Sequence, residues 1–125
     1  MQILTNHTPE PTPIPGIAHV TLAGSPTGLQ NLSVWKQSMD AGHMTPPHQH
    51  GCEEVVLCIA GSGELHAGDE VTRFGAGQTI VIPAGVPHQL VSVGPGPLET
   101  IAAFAMTPVP TTFPDGQALE LPWQS

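Results

Sequence analysis

Apolar residues in this chain come in short runs, and polar or turn-forming residues break every one of them. The runs predict strands at 17–22, 29–39, 53–59, 63–67, 70–74, 79–82, 88–93 and 99–106. The breaks fall at 24–28, 40–42, 61–63, 68–69, 75–77, 83–87 and 94–97, and they are built from Gly, Pro and Asp, the residues that tight turns require. No stretch sustains a helical period, and no internal repeat is visible. Short strands with turns at near-regular spacing predict an all-β fold, a barrel or a jelly roll of two antiparallel sheets with little or no helix.

The ends differ from the middle. Pro9, Pro11, Pro13 and Pro15 make 1–16 an extended arm. The barrel then spans 17–107. The tail, 108–125, is again rich in proline, and Phe113, Leu119 and Trp123 are its candidates for packing on the barrel or on a partner. A length of 125 residues suits one domain, and 39% hydrophobic content argues against disorder despite 15 Pro and 14 Gly.

Charge narrows the partners. Lys36 and Arg73 are the only cations apart from histidine, against ten acidic residues, for a formal net charge of -8. Nothing here neutralises a phosphate backbone, so a nucleic-acid partner is excluded, and an anionic membrane surface would repel the chain. No apolar run approaches the length of a membrane-spanning helix, and the N-terminus lacks the pattern of a signal peptide. Cys52 and Cys58 on one strand would stand about 20 Å apart at ~3.3 Å per residue, far beyond disulfide reach. Two free thiols point to a reducing cytoplasm.

The chemistry concentrates in His48-Gln49-His50. On an extended strand, residues two apart share a face, so both imidazoles can converge on one ion. Glu54 keeps the same parity, whereas Glu53 breaks it. His88 follows the stiff turn Pro83-Ala84-Gly85-Val86-Pro87 and could come from a neighbouring strand. Three histidines and a glutamate suit a divalent transition ion such as iron, manganese, nickel or zinc, and in an octahedral ion they leave two positions open. Trp35, Met39 and Phe104 are the candidates for lining a substrate pocket beside it. His43 is expected in a solvated loop, and Cys52 and Cys58 are expected as small buried apolar residues.

These residues resemble the two motifs of the cupin superfamily, in its small single-domain form. Gly42, His48, His50, Glu54 and Gly61 fall at the spacing of the first motif. Gly77, Pro83, Gly85 and His88 fall at the spacing of the second, where Ser92 replaces the usual Asn. The resemblance implies a cupin jelly-roll barrel with one metal bound by His48, His50, Glu54 and His88, a small-molecule substrate and a homodimer. It implies an enzyme of small-molecule metabolism, foremost a dioxygenase-type oxidoreductase. The alternatives are a non-redox isomerase or lyase acting on a sugar, uronate or hydroxy acid, and a non-catalytic module that binds a small ligand. No catalytic residue is identified beyond the metal centre.

Overall fold

The apolar runs become strands that pair antiparallel throughout. A computed structural model describes all 125 residues. Its strands are β1 (Glu10–Pro11), β2 (Ile17–Ala23), β3 (Ser33–Met39), β4 (Gln49–His50), β5 (Glu54–Ala60), β6 (Ser62–Ala67), β7 (Glu70–Gly75), β8 (Thr79–Ile82), β9 (Gln89–Ser92), β10 (Leu98–Phe104) and β11 (Thr111–Thr112). The only helical piece is a single 3-10 turn, Ser25–Thr27.

One sheet has the order β1-β2-β3-β10-β5-β8, and opposite it lie β7-β6-β9 and the pair β11-β4. Alternation decides the faces. Along β5, Glu54, Val56 and Cys58 are buried while Val55, Leu57 and Ile59 are exposed. The large sheet sends Trp35, Met39, Val56, Leu98 and Phe104 into the core, and the smaller one contributes Phe74 and Leu90. Burying each large apolar side chain stabilises the barrel by roughly 1.5–3 kcal/mol.

The structure departs from the expected strands in places with identifiable causes. Leu29 and Leu32 are exposed and precede β3, because Pro26 and the left-handed Gly28 (φ 90°) turn the chain there. The strand expected over 99–106 ends at Phe104, and beyond it the Ala105 N–H donates to the Glu53 carbonyl. β1, β4 and β11 were not predicted, since a two-residue strand carries no readable period. β1 lies within the proline-rich arm at the sheet edge, with Glu10 opposite His19 and Pro11 opposite Ala18, the place where proline is tolerated.

Candidate metal centre

Three backbone segments converge to build the site. His48 and His88 sit directly opposite each other: the His48 N–H donates to the His88 carbonyl (3.1 Å) and the His88 N–H to the His48 carbonyl (2.8 Å). His50 lies two residues on and faces the same way. The turn before His88 is tied to it, because the Gly85 N–H donates to the His50 carbonyl at 2.8 Å. Gly85 has φ 74°, a conformation that a side chain would disfavour. Glu54 opens β5 and brings its carboxyl in beside the imidazoles.

Each ring has its tautomer fixed. The Nδ1 of His48 lies 2.7 Å from the Pro46 carbonyl, and that of His88 lies 2.8 Å from the Val86 carbonyl. The Nδ1 of His50 lies 3.2 Å from the Pro110 carbonyl and 3.0 Å from the Thr111 hydroxyl. A carbonyl oxygen can only accept, so every Nδ1 carries a proton and, in the neutral ring, the Nε2 presents a lone pair. Such backbone support of the remote nitrogen is how metal-binding histidines are oriented. One ligand nitrogen from each of the three rings lies within 4.8 Å of the others.

The Glu54 Oε1 lies 3.6 Å from the His50 Nε2 and 3.4 Å from the His88 Nε2. Ligands about 2.1 Å from a shared ion are separated by about 3.0 Å across an octahedral edge and about 3.4 Å across a tetrahedral one. Glu54 is 5% exposed and His88 3%, yet the Glu54 Oε1 and the His88 Nε2 have no hydrogen-bond partner. Two buried polar atoms left without partners beside two other inward nitrogen lone pairs are costly unless a cation lies among them. The donor set therefore fits a divalent transition ion.

The electrostatics agree. Burial, aided by the neighbouring imidazole of His88, lowers His48 to about 4; burial and His48 lower His50 to about 3, against the pull of their carbonyl partners. Both rings are thus neutral at physiological pH, the form a metal needs. His88 is also opposed by burial, but Glu54 and the Val86 carbonyl outweigh it and raise its value.

A cavity opens from His48, His50 and Glu54. Trp35 lines it, together with apolar Ile17, Val56 and Leu90 and polar Gln37, Thr45 and Thr100. The structure places Met39 and Phe104 in the packed core instead: Phe104 stands behind Trp35 and His50, with ring centroids at 4.3 and 4.9 Å. His43 is exposed. Cys52 and Cys58 are free and buried, and burial pushes both thiols up. The tail supplies the rest of the wall. Thr111 pairs with His50 across β11 and β4, and Leu119, Leu121 and Trp123 close the cavity while Phe113 stays exposed. Nothing in the pattern marks Thr111. Only the apolar character of Leu119 and Trp123 in a proline-rich tail hinted at the closure.

The comparisons with known proteins follow this geometry. A family model described as Cupin domain matches residues 35–104. Auxin-binding protein 1 of Arabidopsis thaliana is 32% identical over 105 residues, covering 76% of this chain and 53% of that protein. The chain thus spans about half the length of curated relatives it matches. Among solved structures, the polyketide cyclase RemF from Streptomyces resistomycificus superimposes with a TM-score of 0.73 at 23% identity, covering 96% of this chain and 87% of that one. A salicylate 1,2-dioxygenase from Pseudoaminobacter salicylatoxidans, in complex with gentisate, gives a TM-score of 0.67 at 21% identity over 75% of this chain and 26% of its own. At these identities the structural likenesses speak for the fold.

Proposed function

The chain belongs to the cupin family, and from that premise we propose that it is a metal-dependent enzyme of small-molecule metabolism whose ion is held by His48, His50, Glu54 and His88, foremost a dioxygenase-type oxidoreductase. The observation that carries the reading is the shared orientation of the three imidazoles, each with its Nδ1 bonded to a backbone carbonyl and its Nε2 free. A divalent ion there supplies Lewis acidity and, as iron or manganese, redox chemistry with dioxygen. The protein's own groups hold the rings, exclude water with the apolar wall, and orient the substrate against Trp35 and Gln37. No lysine, arginine, cysteine or tyrosine lines the cavity, and apart from the candidate ligands its one ionisable group is Glu120, so reactivity would rest chiefly with an ion held there.

The test is oxygen uptake by iron(II)- or manganese-loaded protein with oxygen-chelating aromatic and diketone substrates. Metal-dependent consumption supports the reading, and its absence with all of them contradicts it. A second reading, capture of a small ligand without turnover, is favoured by the 32% identity to an auxin-binding protein. Saturable binding with no turnover in air or under nitrogen would favour it. Turnover by the zinc form under nitrogen would instead mark a non-redox isomerase or lyase.

The exposed aliphatic face of β5 and β8 supports a homodimer. The two buried free thiols support a reducing, cytoplasmic setting. No helix is long and apolar enough to cross a membrane.

A further inference from the structure

Residues 119–123 form a wall with space on both sides. Leu119, Glu120, Leu121 and Trp123 line the cavity that opens from His48, His50 and Glu54, and they also line a second hollow beside Ser25, Pro26 and Pro108. The two hollows differ in size. The inner cavity offers about 60 Å³, room for a few waters, whereas clefts that hold small organic ligands run to roughly 300–1,000 Å³. The outer hollow offers about 640 Å³. The inner cavity is thus too small for a substrate while the wall is closed, and the wall has room behind it to give way.

The wall is tied at its ends and not between them. At one end the Leu119 N–H donates to the carbonyl of Thr111, the residue paired with His50 (3.1 Å). At the other end the Val109 N–H donates to the Ser125 Oγ (2.9 Å), and the Ser25 hydroxyl donates to the Ser125 carbonyl (2.6 Å). Between these ties Glu120, Leu121, Pro122 and Trp123 make no backbone–backbone hydrogen bond. A segment without such bonds opens more readily than the strands around it. Two contacts latch it to β2. The Trp123 indole stacks on the His19 ring at 3.9 Å with planes 13° apart, and the Thr21 hydroxyl donates to the Gln124 carbonyl at 2.6 Å. One feature opposes the latch: the buried Trp123 Nε1 has no partner, so closure keeps dry a donor that water would satisfy on opening.

We propose that residues 120–123 are a strap that gates the cavity, swinging off β2 into the outer hollow to admit a ligand and closing again over it. The swing breaks the stack on His19 and the bond from Thr21 to Gln124, and it leaves the ties at Leu119 and Ser125 in place. Closure returns the apolar side chains of Leu121 and Trp123 to the cavity wall and excludes water from the site. The strap lies outside residues 35–104, so the family match does not account for it. Gating is a property of the wall, whatever the cavity binds, and it stands apart from the reading of the ion.

The experiment measures how readily acrylamide, a small neutral probe, reaches Trp35, a buried residue of the cavity wall, by quenching its fluorescence. The full chain carries Trp123→Phe, which leaves Trp35 as the only tryptophan and keeps an aromatic ring at position 123. Thr21→Val is then added; it removes the latching hydroxyl from a side chain that does not line the cavity. The quenching constant is expected to rise by about 5- to 10-fold, as loss of one neutral hydrogen bond made only in the closed state implies. Thr21→Ser keeps the hydroxyl and is expected to stay within about twofold of the parent. An unchanged constant in Thr21→Val overturns the proposal, as does an equal rise in Thr21→Ser. A companion measurement needs no substitution: 15N relaxation dispersion of the unaltered chain. Exchange on the microsecond-to-millisecond scale is expected at the Leu121, Trp123 and Gln124 amides and not at Leu119. Exchange at none of the three overturns the strap even if a variant does not fold.

Discussion

Single residues carry the site's chemistry, and the decisive ones are the carbonyls that hold three Nδ1 protons. The same neutrality predicts how the metal-free protein responds to acid. Burial lowers His19 to about 4, with His48 near 4 and His50 near 3. In the unfolded chain each titrates near 6.5. As pH falls through about 6.5 the unfolded state takes up protons first at these three histidines, so the stability they contribute at neutral pH is lost progressively down to about 3, offset in part by His88, whose raised value favours the folded state as pH falls. For His19 alone the loss is on the order of 2–3 kcal/mol. Urea denaturation of the metal-free protein at pH 7.5 and 4.5 checks this, and His19→Gln is expected to flatten the dependence. At the metal, His88→Ala removes one of the proposed donors while keeping the backbone pair with His48. We expect zinc affinity to fall by at least 100-fold with the fold intact by circular dichroism; unchanged affinity in a competition titration would remove His88 from the ligand set.

At the scale of the element, much of the barrel was legible because alternation and turn chemistry agree. β8 matches its predicted bounds, and β5 deviates by one residue at each end. The convergence of His48, His50 and His88 was legible because parity and turn position hold without knowledge of the partner strand: His48 and His50 need only one extended segment, and His88 only the turn before it. Illegible were the pairings made by distant short segments. Thr111 reaches His50 because β11 adds to β4, a long-range pairing of two residues each that leaves no periodic trace. Two glycines separate conformation from crowding. Gly85 has φ 74° and open space where a Cβ would go, while Gly61 has φ 86° and the Pro97 carbonyl in that space. Gly85→Ala is expected to cost about 1–2 kcal/mol, the strain of a left-handed alanine, and Gly61→Ala clearly more. Equal losses in guanidinium denaturation would contradict this assignment.

For the whole molecule, the large sheet has apolar residues on both faces. Val55, Leu57, Ile59 and Val81 are 36, 41, 50 and 73% exposed on strands whose other face fills the core. An antiparallel sheet of a monomer ordinarily turns its polar side to water, so this face predicts the isologous contact of a homodimer. Sedimentation should give twice the chain mass, and Val81→Glu should shift it towards the monomer; a monomer without the substitution would remove the dimer from the account.

Central to the proposal is one ion held among three Nε2 atoms and one carboxylate. Anomalous diffraction from crystals of the zinc- or manganese-loaded protein addresses it most directly. We predict a single strong peak about 2.0–2.2 Å from the Nε2 atoms of His48, His50 and His88 and from a Glu54 carboxylate oxygen. No peak there, or a peak bound by other residues, would contradict the account.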